Sequence, residues 1–255
     1  MLLQKPFPLI NVSSIMQNKV NILAIGVHPD DVELGCSGTL LQQIKKGDTI
    51  GLLDLTRGEL GSRGNATIRT QEAMAAAQLF PAKFRIQLNM ADGFFEHNKA
   101  NLLEIIQIIR FAKPDIVLAN AFADRHPDHG RAGKLIADAC FLAGLVRIET
   151  SYLGVAQTAW RPKNVYHYIQ DYYLKPDFVV DITEVIEQKM DLILTYKSQF
   201  FDPESKEPET PISGKEFLNF VKARAQNLGR PSSFKYAEGF QSAKPVGIKD
   251  LKELF

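Results

Sequence analysis

Cysteine is nearly missing from this 255-residue chain: only Cys36 and Cys140 occur, far apart in sequence. Two thiols so placed exclude a disulfide framework and a four-cysteine zinc site, and point to a reducing compartment. Charge of one sign is missing as well, with 30 Lys+Arg against 29 Asp+Glu. That balance argues against a surface built to coat nucleic acid or to lie on an anionic membrane. No apolar run approaches the ~20 residues that cross a bilayer. Met1 to Gln17 is broken by Lys5, Pro6 and Pro8 and lacks the continuous core of an export signal. A cytoplasmic protein is expected, in which the glycosylation-type triplets at Asn11 and Asn65 carry no meaning. There are no repeats and no low-complexity tracts. What remains is an ordinary globular composition, 45% hydrophobic and 23% charged, expected to form one α/β domain over residues 1–255 with 1–19 as an N-terminal extension.

Apolar runs of strand length alternate with helical patterns. Val20 to Val27 reads as a buried strand running into a loop, and Thr49 to Leu55 as a second. Between them Ser37 can cap a helix that Gly47 stops. Thr67 to Phe80 is helical up to Pro81, and a strand follows near Phe84 to Leu88. Asn101 to Phe111 aligns Leu102, Ile105, Ile106 and Ile109 on one face before the strand DIVLANA. Further helices are expected over His129 to Leu145, Glu184 to Ser198 and Gly214 to Gln226, with strands at Val165 to Ile169 and Phe178 to Ile182. Such alternation implies a Rossmann-like, mostly parallel sheet with helices on both faces. The proline-rich stretch Phe201 to Ser213 reads as a surface insertion.

Three of the five histidines fall in two clusters directly after predicted strands: His28-Pro29-Asp30-Asp31 and His126-Pro127-Asp128-His129. Both belong to the carboxyl edge of the sheet, where open α/β folds bind ligands. Pro29 fixes a turn that lets His28 and Asp31 converge. His129 from the other strand end completes two imidazoles and one carboxylate, a set that leaves coordination positions open for water and substrate. Zinc so held lowers the pKa of water to about 7 and polarises a carbonyl. Asp30, beside a ligand but free of the metal, is placed as general base. His126 with Asp128 reads as an imidazolium held by a carboxylate, fit to stabilise an oxyanion. Amide or ester hydrolysis is the chemistry described. His97 and His167 read as surface or packing residues, Cys36 as a small hydrophobe, and the glycines of GCSG as close packing, because the full dinucleotide fingerprint is missing.

HPDDVELGCSGTL and DRHPDHGRAGKLIADACFLAGL resemble the LmbE and PIG-L family of zinc-dependent N-acetylglucosaminyl deacetylases. DLTRGELGSRGNATIR, YKSQF and YAEGF look like its bacillithiol-making branch, so the likeness runs from about Asn21 to Val246. The resemblance implies a metal-dependent hydrolase of the acetamide of N-acetylglucosaminyl-malate, giving glucosaminyl-malate and acetate. By the same resemblance His28, Asp31 and His129 are the zinc ligands, Asp30 is base and then acid, and His126 with Asp128 stabilises the oxyanion. It also assigns Arg69 and Arg161 to substrate, the latter toward an anionic aglycone. Some relatives carry a tyrosine where Phe217 stands here, so a phenol contact is missing. Homo-oligomers, often hexamers, are implied as well.

Alternatives stay open. The substrate can be another N-acetylglucosamine compound, such as a chitooligosaccharide or the free sugar. Two histidines and a carboxylate also make the ferrous facial triad, and Fe2+ suits these ligands as well as Zn2+. A non-catalytic sugar- or nucleotide-binding module on the same fold is a further reading.

Overall fold

The computed structural model describes residues 18–254, so the N-terminal segment read as lacking an export signal, and Asn11 within it, lie outside the described residues. The chain runs β1 (Ile22–Gly26), α1 (Asp31–Gly35), α2 (Ser37–Lys45), β2 (Ile50–Asp54), α3 (Ala66–Leu79) and β3 (Phe84–Gln87). It continues through α4 (Lys99–Ala112), β4 (Ile116–Asn120), α5 (Pro127–Ala143), β5 (Ser151–Tyr152), β6 (Val155–Ala156) and β7 (Asn164–Tyr168). The last elements are β8 (Phe178–Asp181), α6 (Ile186–Leu194), α7 (Lys215–Gly229) and β9 (Ala237–Ser242).

Seven strands form one sheet in the order β3-β2-β1-β4-β7-β9-β8, and β5 and β6 make a separate two-stranded ribbon. The pairs β1–β2, β1–β4, β2–β3 and β4–β7 are parallel, while β9 runs antiparallel to both β7 and β8. The expected mostly parallel α/β fold is therefore present. β1 and β2 are buried throughout, as strands covered by helices on both faces must be, and this is why their sequences are continuously apolar. One core cluster joins β1, β2 and β4 to α4 and α5 through residues such as Leu23, Ile25, Ile105, Ile109, Leu135 and Ile136. A second, on the opposite face, gathers Ile22, Leu40, Leu52, Phe80, Tyr168 and Phe240. Among the described residues no helix is long and apolar enough to cross a membrane.

Ser37 does not cap α2 through its side chain: its hydroxyl donates to Glu33 O at 2.7 Å, continuing the turn of α1. The orphan N–H groups of Gly38 and Thr39 instead donate to the Glu238 carboxylate at 2.9 and 2.7 Å. A carboxylate from β9 thus supplies the cap and the favourable charge at the helix N-terminus. Gly35 shows the close packing expected of GCSG, since a Cβ there would lie 2.2 Å from the Tyr168 ring. Both cysteines are buried and free. The segment Phe201 to Ser213 is more than a surface insertion: Glu207 accepts from Gly64 N at 2.7 Å, and Ile212 lines the same cavity as His28 and His129.

Candidate active site

β1 and β4 lie side by side, so the loops that leave their carboxyl ends face one another. His28, Asp30 and Asp31 come from the first loop and the start of α1, His126 and His129 from the second and the start of α5, and all five line one cavity of about 280 Å³. Asp31 is fixed by the chain that precedes it. Its Oδ2 accepts from Val27 N at 2.9 Å, His28 N at 3.0 Å and Asn120 Nδ2 at 3.0 Å, and its Oδ1 from Gln170 Nε2 at 2.8 Å. Burial pushes the Asp31 carboxyl up, but His129, His28 and the backbone donor outweigh it and hold the group well below the usual carboxylate range.

Each of the two flanking histidines has one ring nitrogen on a carboxylate and the other turned to Asp31. His28 Nε2 is 2.9 Å from Asp92 Oδ1, and its Nδ1 is 3.9 Å from Asp31 Oδ2. His129 Nδ1 is 2.7 Å from Asp124 Oδ2, and its Nε2 is 3.2 Å from Asp31 Oδ1. Carboxylates behind metal-binding imidazoles fix ring orientation and raise ligand basicity. His28, His126 and His129 also bring ligand atoms within 4.8 Å of one another, as do His28, Asp92 and Asp128. These imidazole and carboxylate donors fit a divalent cation such as zinc or ferrous iron.

Proton competition at this cluster has a measurable sign. Burial lowers the His28 imidazole, yet Asp128, Asp92 and Asp31 raise it to about 9. Burial opposes protonation of His129 too, and Asp31 and Asp124 raise it to about 10. Both rings therefore favour the protonated form at neutral pH, and a cation that takes their nitrogens must displace those protons. Apparent zinc affinity is expected to rise with pH through the neutral range, with more than one proton released at pH 7. Calorimetry in two buffers of different ionisation enthalpy measures that number, and a pH-independent affinity contradicts this arrangement.

Asp30 occupies φ 115°, ψ −20°, a left-handed conformation that an aspartate rarely adopts. The Arg69 guanidinium holds it there: Nη2 donates to Asp30 Oδ2 at 3.0 Å and to Pro29 O at 2.7 Å, and Nη1 to Gly58 O at 3.2 Å. Gly58 is needed for that approach, because a Cβ would lie 2.0 Å from Arg69 Nη1. Burial raises the Asp30 carboxyl to about 7 against the opposing charge of Arg69. A carboxyl in that range can both take and return a proton near neutrality.

Three sequence-based expectations change. His126 and Asp128 are adjacent, but the Asp128 carboxylate accepts from Gly93 N and from Arg131 Nη1, each at 2.8 Å, and does not grip the His126 ring. His126 Nδ1 accepts from Asp128 N at 3.2 Å, capping α5. An accepting Nδ1 leaves the ring neutral with its proton on Nε2, and burial followed by His28 and His129 pushes its pKa down rather than up. Arg69 lines the cavity, yet both its terminal nitrogens are engaged by the chain itself. Arg161 is not at the mouth. It lies over the Phe141 ring, 4.2 Å from its centroid, at the far end of α5, about 18 Å along the helix from His129.

Sequence reasoning missed Asp92, Asp124, Asn120 and Gln170, which hold the cluster from behind. The chemistry demands such partners, but no spacing marks them: Asp92 and Gln170 lie in loops more than 60 residues from the groups they bind. His97 pairs with Asp138 at the surface and His167 is buried against Asn120 O, matching their expected structural roles. Phe217 stands in the cavity wall, stacked on Phe200.

Known proteins carry the same pattern. Residues 23–140 match the family model described as PIG-L: GlcNAc-PI de-N-acetylase. Diacetylchitobiose deacetylase of Thermococcus kodakarensis is 29% identical over 232 residues, 86% of this chain and 82% of that protein. The crystal structure of the conserved protein TT1542 from Thermus thermophilus superposes with a TM-score of 0.79 at 33% identity, covering 90% of this chain and 97% of that one. N,N'-diacetylchitobiose deacetylase from Pyrococcus horikoshii shares the fold with a TM-score of 0.72 at 23% identity, covering 91% of this chain and 86% of that one. With likeness over the full fold, and with the family match spanning both histidine clusters, the chain belongs to the LmbE/PIG-L family, and its His/Asp cluster is that of a metal-dependent amidohydrolase.

Proposed function

We propose that the chain hydrolyses the acetamide of N-acetylglucosamine derivatives, releasing acetate and a free amino sugar. The observation that carries this reading is Asp30, a buried carboxyl beside converging His28, Asp31 and His129, in the wall of one cavity. His28, Asp31 and His129 would hold a divalent cation, which would supply Lewis acidity and lower the pKa of water. Asp30 takes the proton of the attacking water as the C–O bond forms, and then returns it to the departing nitrogen as the C–N bond breaks. Arg69 keeps the carboxyl of Asp30 aimed. His126 offers its Nε2–H to the oxygen on which negative charge develops.

Within this class, N-acetylglucosamine oligomers are favoured over the malate glycoside. Two of the relatives, from Thermococcus kodakarensis and Pyrococcus horikoshii, are named diacetylchitobiose deacetylases. Arg161, counted on to meet a carboxylated aglycone, packs on Phe141, and Arg69 is engaged with Asp30. Incubating zinc-loaded protein with N,N'-diacetylchitobiose, N-acetylglucosamine and N-acetylglucosaminyl-malate, with acetate followed by mass spectrometry, tests the choice. Faster release from the chito-oligomer is expected; release from the malate glycoside alone reverses it.

The ligand set makes its own prediction. His28→Ala is expected to reduce bound metal to a small fraction of wild type, measured by inductively coupled plasma mass spectrometry. Full occupancy in that variant removes His28 from the set.

A further inference from the structure

The cavity that receives the histidine cluster continues past it. The cluster sits on the ends of β1 and β4, and the cavity extends beneath α7 toward β7 and β9, one to two strand spacings to the side, about 5–10 Å. Leu34, Ile169, Phe217, Val221, Ala225 and Leu228 line that part. The last four recur on α7 at intervals of four, four and three, so one apolar stripe of this helix both packs into the core, through Val221 and Ala225, and lines the cavity. Leu34 stands one helical turn beyond Asp30 and Asp31, which brings the apolar wall directly against the reacting groups.

The polar floor of this lobe is already satisfied. Lys189 Nζ is 2.6 Å from Glu238 Oε1 and donates to the carbonyls of Glu33 and Leu34 at 3.1 and 2.7 Å. Glu238 in turn accepts from the first turn of α2. Neither charge is free to bind a ligand, which leaves Leu34, Ile169 and the apolar stripe of α7 as the surface this part of the cavity offers to an apolar group.

We propose that this lobe is a subsite for an apolar substituent of the amino-sugar substrate, an alkyl or acyl chain that enters from the histidine cluster and lies beneath α7. The chain then accepts substrates larger on their apolar side than an unsubstituted N-acetyl sugar. This rests on the deacetylase reading for the sugar, while the lobe itself is tested by binding.

Two ligand series are titrated against zinc-loaded protein below their micellar concentrations: N-acylglucosamines from acetyl to octanoyl, and alkyl glycosides of N-acetylglucosamine from methyl to octyl. Affinity is expected to rise roughly 3- to 4-fold per buried methylene over the first several carbons in one series, which identifies the acyl or the aglycone side as the source. Ala225→Leu, which fills the lobe, is expected to flatten that rise. Leu228→Trp does the same from a half-buried position and serves where Ala225→Leu does not fold. Flat responses in both wild-type series overturn the subsite, as does a rise that both variants leave untouched. A steep rise without acetate release from any N-acetyl sugar overturns the deacetylase reading and leaves the subsite standing.

Discussion

Asp30→Asn is expected to lower turnover by roughly 10²- to 10⁴-fold while leaving bound metal unchanged. The amide is nearly isosteric and keeps a contact to Arg69, but it cannot accept the proton that the attacking water must lose. Asp30 is 5% exposed and directed by Arg69 at 3.0 Å, so bulk water is poorly placed to substitute for it. Its left-handed backbone has the same implication, since such conformations cost of order 1–3 kcal/mol and persist where surrounding structure imposes them. Acetate release and metal content measured on one preparation decide the matter. A variant that retains more than a few per cent of wild-type turnover removes Asp30 from the role of base.

The second large effect is on stability. Arg85 lies between Asp54, which accepts from its Nε and Nη2 at 2.8 and 2.7 Å, and Glu33, which accepts from Nη1 at 2.6 Å. Arg85, Asp54 and Glu33 all have side chains no more than 1% exposed. Arg85→Met strands two buried carboxylates without their cation, and loss of one partner from such a cluster costs about 3–5 kcal/mol. For a chain of this size that corresponds to a fall in Tm on the order of 6–20 °C. Lys134→Ala breaks an exposed pair, Lys134 with Asp138 at 2.7 Å, and is expected to change stability by less than about 1 kcal/mol. Equal shifts in the two variants contradict this ranking. Glu33 belongs to the same short helix as Asp31, so the Arg85 cluster also ties the loop of His28, Asp30 and Asp31 to β2 and β3.

Parallel strands were legible because they are buried on both faces. Ile22–Gly26, Ile50–Asp54 and Ile116–Asn120 read as apolar runs for that reason, and the helices between them follow from their periodicity and from stops such as Gly47 and Pro81. β9 was not legible. Its sequence AEGFQS contains a glycine and a glutamate, and that glutamate is needed as the remote cap of α2 and the partner of Lys189. Nothing local announces a bond formed across so many residues. The His/Asp cluster was legible because His28 to Asp31 and His126 to His129 each follow a strand, and the fold brings those strand ends together. Arg161 was misplaced because an arginine beyond the end of α5 carries no local sign of which end of the helix it packs against. The state of His126 was misread because a neighbouring aspartate in sequence need not be a neighbour of the ring: residue 128 begins a helix, and its side chain turns to Gly93 and Arg131.

Metal-dependent amide hydrolysis is the central claim, and acetate release from N,N'-diacetylchitobiose by one protein sample in three conditions tests it most directly. Zinc-loaded protein is expected to release acetate with stoichiometric appearance of free amine, chelation to abolish release, and restored zinc to recover it. Release that persists unchanged after complete removal of metal contradicts the account.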